Sequence, residues 1–324
     1  LYPKLPDLTE IDYADPRHES FVDGILNSGD AYFTKSGEDS SAWHTVLVGG
    51  MAGGGQGIDA LDVTNPANFC EANASSLVMW EFTDADSGDL GYTYSRPAVV
   101  RLHNGKWGVV LGNGYNNTEA DGAASGSGNA VLYILDISSG EVLKAIDTGI
   151  GAEDDPAGTD RPNGLATPAP IDLDRDGIVD YVYAGDLFGN MWKFDLTAKS
   201  ADDWAIAKYP AVDGSAQPLF KAVQGAEHQA ITTRPEVGVA PFGQAGVMVY
   251  FGTGQYLEVG DNTPLDQVTQ SFYGVWDTGI VVTRDELQEQ QILQETEQDF
   301  YDVDGNKVDD FELRVTSDTP VSWR

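Results

Sequence analysis

Short apolar runs, rich in β-branched and aromatic residues, recur along the chain and stop at a glycine or an aspartate. Four end in glycine: Val46-Leu47-Val48-Gly49, Val109-Val110-Leu111-Gly112, Val182-Tyr183-Ala184-Gly185 and Val249-Tyr250-Phe251-Gly252. Each is followed by an alternating run closed by aspartate: Ile58 to Asp62, Val131 to Asp136, Met191 to Asp195 and Phe272 to Asp277. Runs this short, bounded by turn residues, read as strands. Three further runs open on a small residue and a proline, at Pro97, Pro168 and Pro235, which stand 71 and 67 positions apart. A proline is tolerated at a strand start, where a missing N–H does least damage. A fourth strand is predicted at Val78 to Phe82, Val142 to Ile146 and Leu219 to Ala222.

Four strands per unit with glycine punctuation describe the blades of a β-propeller. The blades start near residues 21, 95, 166 and 233, the first without the proline. The period exceeds the usual ~40–50 residues, so long insertions are expected between strands. At least four blades are visible over one domain, 1–324, and the expectation is a fragment of a longer protein and part of a larger ring. The chain opens at Leu1 on a polar, proline-bearing segment and closes on Val321-Ser322-Trp323-Arg324 without a stop signal. One helix is predicted, Thr283 to Thr296, with Leu287, Ile292 and Leu293 set against a polar face. Asp121 to Gly128 and Gly151 to Asp160 read as polar surface loops.

The charge balance narrows the partners. With 52 acidic and 18 basic residues, the formal net charge is -34. Such a chain repels nucleic acid and anionic membrane surfaces, and suits solubility in a salty or extracellular medium. No apolar run approaches the ~20 residues of a membrane span. Cys70 is the only cysteine, so no internal disulfide and no thiolate metal cluster can form. His18, His44, His103 and His228 are scattered, and no nucleophile elbow is present. The stretch Gly49 to Gly57 lacks the Lys-Ser/Thr end of a phosphate loop and reads as the connection between the second and third strands of a blade.

One segment carries chemistry. In Asp172-Leu-Asp174-Arg-Asp176-Gly177-Ile178-Val-Asp180, aspartates occupy positions 1, 3, 5 and 9, with glycine at 6. Ca²⁺ takes six to eight hard oxygens, and alternate residues of a turning chain aim their side chains inward. Gly177 permits the reversal, and Ile178 at position 7 can offer its carbonyl. Carboxylates so close repel one another unless a cation lies between them. The twelfth position is Tyr183 rather than glutamate, and no helices flank the loop, so this is a nine-residue clip rather than an EF-hand. Ca²⁺ is preferred to Mg²⁺, which tolerates a dense protein cage poorly. Asp302-Val-Asp304-Gly305-Asn306 reads as a hairpin turn, and Asp84 to Asp89 and Glu153 to Asp155 as solvated loops.

Several stretches, taken in order, resemble the C-terminal domain of the PilY/PilC family of type IV pilus tip-associated biogenesis factors and adhesins. They are Trp43 to Gly50, Leu90 to Pro97, Arg101 to Trp107, Leu111 to Tyr115, Asp172 to Asp180, Tyr183 to Leu187, Gly189 to Asp195, Met248 to Gly254 and Gln270 to Tyr273. The resemblance implies a modified, quinoprotein-like propeller with one Ca²⁺ held by Asp172, Asp174, Asp176, the Ile178 carbonyl and Asp180. It further implies a non-enzymatic, secreted protein of the bacterial cell surface, at the pilus tip and associated with the outer membrane. Calcium would there control pilus extension, retraction and twitching motility. The partners implied are minor pilins and host or abiotic surfaces. No Arg-Gly-Asp sequence is present, so integrin-type adhesion is not expected. The competing reading is a pyrroloquinoline-quinone dehydrogenase, because Leu135 to Glu141 resembles the repeats of those propellers. A local aspartate loop and a single cysteine argue against it.

Overall fold

The computed structural model describes residues 20–209, 217–240, 243–257, 261 and 269–317. The chain ends and His18 lie outside them. The chain divides into two compact units, Leu1–Val282 and Thr283–Arg324.

The first unit is built of blades. Blade one is β1 (Asn27–Phe33), β2 (Ala42–Gly50), β3 (Gly57–Asp62) and β4 (Val78–Thr83), paired in that order. Blade two is β5 (Ala98–Arg101), β6 (Trp107–Gly112), β7 (Val131–Asp136) and β8 (Val142–Asp147). Blade three opens with β9 (Ala169–Ile171), β10 (Tyr181–Gly185) and β11 (Asn190–Asp195). Its fourth strand is split: β12 (Ala205–Ile206) pairs with Phe194 and Asp195, and β13 (Phe220–Lys221) with Asn190 and Met191. The predicted strand at Leu219 to Ala222 is thus half of that edge. A small hairpin of β14 (Val223–Gln224) and β15 (Glu227–His228) leads to blade four, where β16 (Glu236–Val239), β17 (Val247–Gly252) and β18 (Phe272–Asp277) are described. Blade one starts at Asn27, a few residues after its predicted start, and its β3–β4 connection holds two 3-10 turns and a short helix, α1 (Ala74–Leu77).

Blade two shows why the runs are apolar without interruption. All six residues of β7 are buried. Val131, Tyr133 and Leu135 pack into blade one with Val46, Val48 and Phe82. Their alternates Leu132 and Ile134 pack into blade three with Val182, Trp192 and Phe194. A sheet covered on both faces needs hydrophobic residues at every position, each contributing about 1.5–3 kcal/mol. Blades three and four are joined by polar contacts as well, where Asp277 accepts from the Tyr183 hydroxyl (2.6 Å) and the Lys193 ammonium (2.7 Å).

The closing glycines seat the next blade. A Cβ at Gly50 would lie 2.5 Å from the Thr93 carbonyl oxygen, at Gly112 2.3 Å from that of Ala166, and at Gly185 2.8 Å from that of Ile231. Those carbonyls belong to the segments that enter blades two, three and four. Only glycine allows so close a backbone approach.

The second unit corrects the helix predicted at Thr283 to Thr296. Only Arg284–Glu286 turns helically, as one 3-10 turn. Glu286 accepts from the Thr283 N–H and hydroxyl, a capping box that starts a helix nothing continues. The chain then extends into β19 (Ile292–Tyr301), which pairs with β20 (Lys307–Thr316). Nine cross-strand pairs outweigh a weak local helical preference. Asp302 to Asn306 forms the turn of this hairpin, as expected, with Asp302 accepting from the N–H groups of Asp304 and Asn306.

Candidate metal centre

The acidic loop connects β9 to β10, the place that a short turn over Leu102 to Lys106 fills in blade two. Its tip is exposed from Leu173 to Gly177, and its end, Val179 and Asp180, is buried. The chain folds back on the carboxylates themselves. Asp172 accepts from the N–H groups of Arg175 (2.6 Å), Asp176 (3.1 Å) and Gly177 (2.7 Å). Asp174 accepts from Asp176 N–H (3.1 Å), and Asp176 from Ile178 N–H (2.8 Å). Arg175 and Gly177 both have positive φ, 67° and 84°, which turns the chain around a common centre.

The result is convergence. Asp172, Asp174 and Asp176 each direct a carboxylate oxygen to one place, the three lying within 4.8 Å of one another. Among the described residues no other group of this kind occurs, and no basic side chain forms an ion pair with these three. Three negative charges at such distances repel by between about 1 and 4 kcal/mol per pair, depending on how far water screens them. Hard oxygens without histidine or thiolate fit Ca²⁺ better than a transition metal. Ile178 is half-buried beside the group, its carbonyl at the seventh position.

Asp180 is placed differently. It is 8% exposed and is not among the three converging carboxylates. Its Oδ2 accepts from Leu173 N–H at 2.8 Å, closing the base of the loop. Its Oδ1 lies 2.9 Å from Nε2 of His103, which stands on the β5–β6 turn of blade two. The Val179 N–H also donates across the seam, to the Arg101 carbonyl at 3.0 Å. No spacing in the sequence points from His103 to an aspartate 77 residues away.

The remaining candidates have structural roles. His44 is buried against Phe33, with Glu38 and Asp62 beside it. The glycine-rich stretch does join β2 to β3. In the Asp84 to Asp89 loop, Asp86 accepts from Thr83 N–H. Burial pushes the Asp155 carboxyl up, but hydrogen bonds from Thr159, Ala157 and Arg161 outweigh it and bring it to about 2.

Fold and loop together define an all-β propeller protein that carries an acidic clip inside one blade. The PilY1 β-propeller domain matches residues 1–304, and the chain belongs to that family. It is 41% identical over 269 residues to a type IV pilus biogenesis factor PilY1 homolog of Xylella fastidiosa, covering 81% of this chain and 16% of the relative. It is 35% identical over 347 residues to type IV pilus biogenesis factor PilY1 of Pseudomonas aeruginosa strain PAO1, covering all of this chain and 26% of the relative. The crystal structure of the Pseudomonas aeruginosa PilY1 C-terminal domain is similar with a TM-score of 0.74 at 34% identity, over 93% of this chain and 59% of that one. The chain therefore spans only a minor part of its full-length relatives.

Proposed function

We propose that this chain is the calcium-binding propeller of a non-enzymatic type IV pilus biogenesis factor, displayed at the pilus tip on the bacterial surface. The pilus role is supported by the likeness to proteins named as biogenesis factors rather than as enzymes. The observation that carries the calcium reading is the convergence of three carboxylates that no basic side chain among the described residues neutralises. Asp172, Asp174 and Asp176 would supply side-chain oxygens, Ile178 its carbonyl, and Asp180 an oxygen at the base, with water completing the shell. Bound calcium would supply the positive charge that the loop lacks, and its occupancy would bias the pilus between extension and retraction. Adhesion to host or abiotic surfaces and contact with minor pilins belong to the same reading.

Isothermal titration of the chain with CaCl2 tests it directly. One site is expected, with Asp176→Ala weakening it by at least about 100-fold while the far-ultraviolet circular dichroism is unchanged. An Asp176→Ala chain that binds calcium as tightly as the parent would remove the site from this loop. Counting surface pili on cells that carry the same substitution then tests the link to extension and retraction.

A further inference from the structure

We propose that His103 is a positioning residue for the cation site, tying occupancy of the blade-three loop to blade two. The inference rests on reading the loop as a calcium site. It begins from an asymmetry among the four aspartates. Asp172, Asp174 and Asp176 accept only from N–H groups of the loop itself. Asp180 alone takes a donor from another blade, at 2.9 Å from His103 Nε2.

An ionised carboxylate can only accept, so Nε2 carries the proton and His103 donates. With Leu173 N–H on Oδ2 and His103 on Oδ1, both torsions of the Asp180 side chain are fixed. Each oxygen keeps a further lone pair for a cation. A ligand held in this way loses little freedom on binding, which is how outer partners sharpen a metal site. The neighbouring bond from Val179 N–H to the Arg101 carbonyl places the end of β5 and the turn after it directly on the loop's last two residues. Arg101 to His103 is therefore the stretch through which blade two meets the site.

The test compares the parent chain with His103→Ala and His103→Gln, whose amide nitrogen reaches the place of Nε2. Calcium titration is expected to show about tenfold weaker binding for His103→Ala and recovery to within about threefold for His103→Gln. Hydrogen exchange at residues 101–103 is expected to slow when calcium is added to the parent, and to change less in His103→Ala. Equal affinities for the parent and His103→Ala overturn the positioning role and leave the calcium site standing. A parent chain that binds no calcium at all overturns the site and the positioning role together. Should His103→Ala fail to fold, His103→Asn takes its place, because its shorter amide reaches only the position of Nδ1. Unchanged affinity in that variant is equally decisive against the proposal.

Discussion

Gly177 shows how one residue serves the loop. Its φ is 84°, and a Cβ built there would meet nothing within 4 Å. The whole cost of Gly177→Ala is therefore conformational, about 1–2 kcal/mol, and it falls on the turned state that gathers the carboxylates. Calcium affinity is expected to drop by roughly tenfold while the cation-free melting temperature moves little, a combination that titration and calorimetry resolve. The convergence of Asp172, Asp174 and Asp176 and the turn at Gly177 were legible in the sequence because loop geometry is local: positions 1, 3, 5 and 6 determine who faces whom. Asp180 was legible only in part. Its bond to Leu173 lies within the loop, but its partner His103 is set by how two blades pack, and no local pattern encodes that. Asp186 was not legible as a hub. Fully buried, it accepts from the N–H groups of Phe188 and Asn190 and from the side chains of Asn163, Asn190 and Trp192. Asp186→Ala would leave those buried donors without an acceptor, and a loss of at least about 3 kcal/mol in denaturant unfolding is expected.

Among the strands, the closing glycines make a sharper test than the apolar runs. Gly112 and Gly252 both end the second strand of a blade, yet the backbone carbonyls of Leu165 and Ala166 crowd the Cβ position at Gly112, and a Cβ built at Gly252 meets nothing within 4 Å. Gly112→Ala is expected to separate blades two and three at a cost above about 3 kcal/mol, whereas Gly252→Ala is expected to stay within about 1 kcal/mol. Similar denaturation midpoints for the two variants would contradict the seating role. Most strands of the blades could be read from the sequence because short apolar runs and glycine stops are strong local signals. The stretch after Thr283 misled for an equally local reason. Its capping box is real, but no helix continues past Glu286, and pairing with β20 across the turn decides the outcome. The split edge of blade three escaped prediction because two-residue strands carry almost no pattern of their own.

The first unit as a whole should be acid-sensitive in a defined window. Burial raises the Asp62 carboxyl, but the Lys35 ammonium at 2.6 Å and the Thr64 hydrogen bonds bring it down to about 2, and Asp155 reaches the same level. Carboxyls held below their ordinary value of 3.8 contribute stability that is complete above about pH 4 and is lost as pH falls through about 2. Melting temperatures measured in chelator from pH 5 to pH 2.5 are expected to fall steeply in the parent and less steeply in Asp62→Asn. The antiparallel order also sorts the connections. Turns between first and second strands, the acidic loop among them, lie at one end of the blades. The long connections 113–130 and 148–168 lie at the other end, about 20 Å away along a six-residue strand. Insertions can therefore accumulate at the far end without disturbing the acidic loop. On the proposed calcium reading, a partner held by those long loops would register occupancy only through the strands that separate the two ends.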